Sequence, residues 1–306
     1  MQTRPGLAAV LAAAAALAPP PAARAQSAFT TDLWRVAAGT LVIPAALAND
    51  GSATLWTPAT ALPGSGLAAR MGVETIHADA DAGVSGALAT IAFRPSGAVT
   101  VNFIYGRMSV GDLVRTETSP EAVGSIPAFA QVVSLGIARS LAGGLVTVGV
   151  AARALTGQLD VQSRTRIAAD IGAACTTPHV RVGVATRFFD PTAGPSASGA
   201  SFDVASEVRT STVTVWGAPF VAQARYGLGL AGGEGPEHLV TAGVSIGGAF
   251  DLDAGAARET VAGTAVWRSR FGAALTAGRY HVYVGRDGGV NGFGPTYRFG
   301  LAAVVK

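Results

Sequence analysis

The sequence predicts an all-β protein, a transmembrane antiparallel β-barrel of about 12 to 14 strands. Three observations carry that expectation. The chain is 49% hydrophobic with a mean hydropathy of +0.40, yet after Ala25 it has no apolar run long enough for a membrane helix. Charged residues make up 13%, where about a quarter is usual for a soluble domain. Apolar and polar residues alternate with period 2 along most of the chain. Such alternation spreads apolar side chains over one face of each strand, where hydropathy windows miss them.

Residues 1–25 read as a secretory signal peptide. Arg4 gives a positive start, Leu7 to Ala18 is unbroken apolar sequence, and Pro19 to Pro21 interrupts it. Ala23-Arg24-Ala25 is a small-x-small cleavage site, placing the cut before Gln26. The expected destination is the bacterial outer membrane, with outer-membrane lipid as the surrounding partner. Cys175 is the single cysteine, so no internal disulfide forms. Loss of Arg4 and Arg24 lowers the formal charge from +3 to about +1. No basic cluster suits nucleic acid, which is not an expected partner.

The strands follow in order. Val99, Val101, Phe103 and Tyr105 oppose Thr100, Asn102 and Gly106. Val146, Val148, Val150 and Ala152 oppose Thr147, Gly149 and Arg153. Ile167, Ala169 and Ile171 oppose Arg166, Asp170 and Gly172, with Cys175 on the apolar side. Val180, Val182, Val184 and Phe188 oppose His179, Arg181, Gly183 and Arg187. Val240, Val244 and Ile246 oppose Thr241, Gly243 and Ser245. Tyr280, Val282 and Val284 oppose Arg279, His281 and Tyr283. Tyr297, Phe299, Leu301 and Val305 oppose Arg298 and Gly300.

Turn signals separate these runs at 79–83, 95–97, 142–144, 232–236 and 286–289, and 191–201 reads as an exposed loop. The stretches 107–128 and 202–217 leave the strand number open between 12 and 14. Tyr105, Trp216, Trp267, Tyr280 and Tyr297 near strand ends suit interfacial girdles. Backbone groups in lipid must all be paired, so the sheet is expected to close. Arg298 to Val305 also resembles the C-terminal assembly signal of outer-membrane barrels, although Lys306 stands where an aromatic residue is usual.

Several motifs suggest chemistry. Gly227 to Gly232 fits GxGxxG, but lies inside an alternating strand, where a dinucleotide site needs a strand-to-helix turn. Gly243 to Gly247 fits GxSxG, with Asp251, Asp253 and His281 following in hydrolase order. Ser245 is in strand phase and lacks the strained turn of a nucleophile elbow. An outer-membrane esterase using Ser245 is therefore a minor reading, and the main expectation is a protein that catalyses nothing. The histidines His77, His179, His238 and His281 lack metal-site spacing. No metal and no cofactor is expected.

The main polar feature is a set of residues in lumen phase: Arg70, Glu74, Arg153, Arg166, Asp170, Arg181, Arg187, Arg225, Arg268, Arg270, Arg279, His281 and Arg298. Two roles fit them. One is a structural network of ion pairs, and the other is a positive constriction that attracts anions. Paired lumen charges are common in narrow barrels, which favours the structural role.

One segment has no place in the wall. Ala46 to Pro63 combines a turn signal, a short apolar run and Pro58 ahead of the first long strand. It resembles the N-terminal signature of FadL-like outer-membrane barrels, in particular the PorV and PorQ branch. The match lies in Asn49, Asp50, Gly51, Ser52, Trp56, Thr57, Pro58 and Ala59, with Thr57 at the family's asparagine. The resemblance implies that residues 26–65 form a plug, or hatch, inside a barrel built from 66–306. It further implies passive transport of small hydrophobic or amphipathic solutes. In the PorV-like branch it implies a scaffold that binds an envelope protein partner in secretion.

Overall fold

The computed structural model describes residues 29–50, 52–62, 67–78, 83–95, 97–116, 124–189, 200–231, 235–261, 264–289 and 294–305. The expected signal peptide, Gly51 and most of the expected loop at 191–201 lie outside these residues. Most of the alternating sequence becomes strand. The strands are β1 (Ala68–Ala78), β2 (Val84–Arg94), β3 (Val99–Val110), β4 (Val114–Arg115), β5 (Gly124–Ser125), β6 (Ala128–Leu141), β7 (Val146–Leu159), β8 (Gln162–Thr176) and β9 (Val180–Arg187). They continue as β10 (Ser201–Arg209), β11 (Val213–Val215), β12 (Ala218–Ala231), β13 (Glu237–Ile246), β14 (Phe250–Val261), β15 (Thr264–Ala277), β16 (Tyr280–Asp287) and β17 (Thr296–Val305). Ahead of them lie α1 (Phe29–Gly39), a 3₁₀ turn (Ala45–Leu47) and α2 (Ala53–Trp56).

Neighbours in sequence pair antiparallel, with β3 joined directly to β6. Two pairings close the sheet: β1 with β17, where Val73 faces Leu301, and β10 with β12, where Ala205 faces Gly227. The result is a closed wall of 14 strands. The uncertain 107–128 stretch holds the end of β3 and a small β4–β5 hairpin. In the 202–217 stretch, β10 is a wall strand and β11 only a short hairpin arm on β12.

Closure sorts side chains in the sense opposite to a soluble protein. Met71, Leu135 and Phe299 are 54%, 55% and 52% exposed, while Glu74, Arg153 and Asp170 are 2%, 1% and 1% exposed. Each strand carries its apolar row outward, as a barrel in hydrocarbon requires. Among the described residues no helix is long and apolar enough to cross a membrane.

The two ends differ. Connections 142–145, 177–179, 247–249 and 278–279 are tight and share one end. The β11–β12 hairpin projects there too, turning at Trp216 and Gly217 with φ of 51° and 80°. Two central residues at positive φ match the right-handed twist of the flanking strands, which is why glycine follows the tryptophan. The described parts of the long connections, 111–116, 124–127, 188–189 and 200, lie at the opposite end.

Phe188 corrects the phase reading. It stands just past β9 at φ 58°, which turns its ring away from the row of Val180, Val182 and Val184. Phe188 is buried and joins an interior apolar cluster with Trp34, Leu55, Trp56, Ile76, Ile104, Met108 and Leu155. Burying a side chain of this kind contributes roughly 1.5–3 kcal/mol. The inner face is thus apolar over part of β1–β8 and charged elsewhere.

Candidate functional site in the barrel interior

Interior chemistry begins with strand phase. Arg153 on β7 and Asp170 on β8 both point inward, and Arg153 Nε lies 2.6 Å from Asp170 Oδ2. The same guanidinium donates from Nη1 to the Leu55 carbonyl at 2.6 Å and from Nη2 to the Thr54 carbonyl at 3.2 Å. Arg187 grips Asp203 through two nitrogens at 2.6 and 2.9 Å. Arg225 lies 2.5 Å from both Glu207 and Asp253. Arg268 pairs with Glu259 at 2.7 Å and with Asp287 at 3.0 Å. Arg270 pairs with Glu237 at 2.5 Å and with Asp287 at 3.1 Å. Arg298 pairs with Glu74 at 2.6 Å, and its guanidinium stands 5.6 Å from the rings of both Trp56 and Tyr283.

These interactions form a two-signed network. The expected lumen set holds the arginines, Glu74 and Asp170 but lacks Asp203, Glu207, Glu237, Asp253, Glu259 and Asp287. Their signal was available: Asp203, Ala205 and Glu207 alternate inward along β10.

Wall arginines also reach main-chain carbonyls of the N-terminal segment. Arg270 donates to Leu41 O at 3.2 Å, Arg181 to Leu47 O at 2.8 Å, Arg70 to Asn49 O at 3.2 Å and Arg94 to Leu62 O at 2.6 Å. Inward glycines admit this backbone. A Cβ on Gly149 would overlap the Pro58 carbonyl, and one on Gly183 the Ala46 carbonyl. Close backbone approach is one reason for glycine within a strand.

The residues read as a plug motif spread over several contacts. Asn49 accepts from Arg70. Asp50 lies 3.4 Å from Arg298. Ser52 Oγ accepts from Trp56 Nε1 at 3.0 Å and also from Arg298. Trp56 and Thr57 are fully buried, and Pro58 and Ala59 lie against Gly149 and Gly172. Arg166 is on the inward row of β8 with Ala168 and Asp170, and is half-buried.

Arg279 is the exception. It sits in the tight β15–β16 turn, exposed, with its guanidinium 5.0 Å from the Tyr280 ring and Nη2 donating to Tyr280 Oη at 2.8 Å. Its phase was extrapolated past the strand start at Tyr280, where alternation no longer sets direction.

A cavity of about 470 Å³ remains toward the tight-turn end, lined by Val42, Asp50, Arg70, Asp251, His281 and Ser245 among others. His281 lines this cavity, and its Nδ1 is hydrogen-bonded to Thr276 Oγ1 at 3.0 Å. Ser245 lies inside β13 opposite Asp251, and the chain turns through Gly247 and Gly248 into another strand. The strand-to-helix elbow that activates a GxSxG serine is not formed. Gly227 of the GxGxxG stretch lies within β12 against the Pro44 ring. Among the described residues no group of three histidine, cysteine or carboxylate side chains is placed to hold a metal ion.

The fold and its inverted surface define a membrane-spanning β-barrel. No protein-family model and no curated protein matches the sequence. Solved structures similar in fold include CdiB from Acinetobacter baumannii, at 9% identity and a TM-score of 0.44 over 78% of this chain. The chain spans 60% of the length of that protein. A Rhodopseudomonas blastica porin variant matches at 11% identity and a TM-score of 0.42, over 79% of this chain and 99% of the porin. The A. baumannii outer membrane protein Omp33 matches at 10% identity and 0.44, over 80% of this chain and 100% of its own. None of these supports the likeness to FadL-like and PorV-like barrels drawn from residues 48–59.

Proposed function

We propose that the chain is an outer-membrane barrel for passive passage of a small hydrophobic or amphipathic solute, with residues 33–62 acting as a plug. The observation that carries this reading is the set of hydrogen bonds from Arg70, Arg94, Arg153, Arg181 and Arg270 to main-chain carbonyls of that segment. Each such bond to a charged donor contributes about 1.5–3 kcal/mol at most. The wall's own strand ladder is closed without them, so the segment's departure would leave the ladder paired. The mixed lining of the 470 Å³ cavity, with Val42 and Ile43 beside Arg70 and Asp251, suits an amphipathic molecule. Tight turns face the periplasm in barrels of this kind, which sets the long connections outside.

The test compares planar-bilayer conductance and liposome uptake for the mature chain with and without residues 33–62. The intact chain is expected to conduct little and the shortened chain freely. Equal uptake by both, with no apolar solute carried by either, overturns the proposal.

A second reading, a scaffold that binds an envelope protein, draws on the projecting hairpin. Val213, Val215 and Trp216 are exposed at its tip, and Trp216 has no cover at all. Co-purification of one stable partner, lost in Trp216→Ala, would favour it. Neither reading involves catalysis.

A further inference from the structure

The outer face of β12–β17 carries an arrangement that passage through the lumen does not use. All the carboxylates of these six strands, Glu237, Asp251, Asp253, Glu259 and Asp287, are in the inward rows. Two arginines are in the outward rows: Arg258 on β14 and Arg286 on β16, both toward the long-connection end. Arg286 stands 6.0 Å from the Tyr297 ring. Arg258 faces Trp267 on one side and His238 on the other in strand register. Neither arginine has a carboxylate partner among the described residues. The interior arginines of these strands, by contrast, are held by acids.

An arginine on the lipid side of a barrel is costly near the midplane and tolerated near the interface. Aromatic neighbours mark that interface. Beside Arg286 runs an outward groove of about 730 Å³. One register row crosses it: Ala242 faces Ala254, Ala254 faces Phe271, Phe271 faces Arg286, and Arg286 faces Tyr297. The alanines form a shallow floor, Phe271 stands above it, and the guanidinium lies in the same row.

We propose that this groove is a binding site for a phosphorylated, acylated lipid of the outer leaflet. An acyl chain lies over Ala242 and Ala254 against Phe271, one phosphate is held by Arg286 at the groove's edge, and a second meets Arg258, which lies outside the groove four register positions away. Guanidinium groups bind phosphate through paired, charge-assisted hydrogen bonds. The Tyr297 ring lies beside Arg286, and Trp267 faces Arg258 in register, which places both arginines at headgroup depth. The inference rests on the reading of the chain as an outer-membrane barrel with its long connections outward. Its test reads bound lipid and not conductance, so the two can fail separately.

The experiment is native mass spectrometry of the mature chain in detergent, titrated with bis-phosphorylated lipid A. Parallel titrations use the same lipid with both phosphates removed, and inorganic phosphate. One bound copy of the phosphorylated lipid is expected. Binding should weaken about tenfold or more in R258Q/R286Q, since charge-assisted bonds are lost. Ala254→Trp, which keeps both arginines and fills the floor, is also expected to abolish it. Equal binding of the dephosphorylated lipid overturns the proposal, as does unchanged binding in R258Q/R286Q. Inorganic phosphate that displaces the lipid at equal concentration makes this a free-anion site and likewise overturns it. Should R258Q/R286Q not fold, undiminished binding by Ala254→Trp decides against the groove.

Discussion

Arg153 and Asp170 form an ion pair at 2.6 Å with no solvent contact to either side chain. Neighbouring strands supply the partners, so wall register alone brings them together: Ala151 faces Asp170, and Arg153 follows two residues later on the same row. The pair then reaches out of the wall, through the hydrogen bonds of Arg153 to Thr54 and Leu55.

Removing one member is expected to cost more than removing both. Arg153→Met leaves a buried carboxylate without its partner and should destabilise the barrel by about 3–5 kcal/mol. R153M/D170M should recover much of that loss, because the uncompensated charge is gone. Urea unfolding of the three proteins in detergent micelles, followed by tryptophan fluorescence, measures both. A double variant no more stable than Arg153→Met contradicts the expectation.

The inward glycines should act on the segment more than on the wall. Gly149→Val and Gly183→Leu place side chains where the Pro58 and Ala46 carbonyls lie. Displacement of residues 46–59 is the expected result, with new protease cleavage in that stretch and raised bilayer conductance. Retained protection together with unchanged conductance would show that the backbone there adapts.

Tyr283 makes a different use of glycine. Its ring lies across Gly300 on the next strand, and a Cβ at Gly300 would overlap the ring carbons. Gly300→Ala must therefore push Tyr283 aside, at a cost of about 1–3 kcal/mol for overpacking. Y283A/G300A relieves the clash. Thermal unfolding read as the heat-induced mobility shift on gels should place Gly300→Ala below the unsubstituted chain, and Y283A/G300A level with Tyr283→Ala.

A charge scan distinguishes the membrane face from the projecting hairpin. Val150 is outward in β7 and 55% exposed. Val150→Arg should cost about 2–4 kcal/mol if it reaches the bilayer midplane. Val213→Arg, on the hairpin arm beyond the wall, should cost about 0–1 kcal/mol. Equilibrium folding into phosphocholine vesicles gives both values. Equal costs would mean that the apolar rows do not face lipid.

Much of the barrel was legible because period 2 is a local property. Val146 to Ala152 and Val180 to Val184 alternate whatever the rest of the chain does, and that phase puts Arg153 and Arg181 on the row opposite the valines. The phase reading failed at strand ends. Phe188 and Arg279 lie one residue beyond their strands, where a positive φ or a tight turn sets the side-chain direction.

The sequence by itself determined the class: a low-charge chain with alternating rows can satisfy its backbone in lipid only as a closed sheet. It did not determine the strand number, because turns and short arms such as β11 look like strands until their pairing is known. Nor did it determine which acid meets which arginine. Arg225 and Glu207 are on paired strands, but Arg298 and Glu74 meet only because β17 closes onto β1. Those partnerships depend on closure and register, which are properties of the whole sheet. The contacts of residues 33–62 with inward glycines and arginines come from the same source, since no local pattern records how close two distant backbones pass.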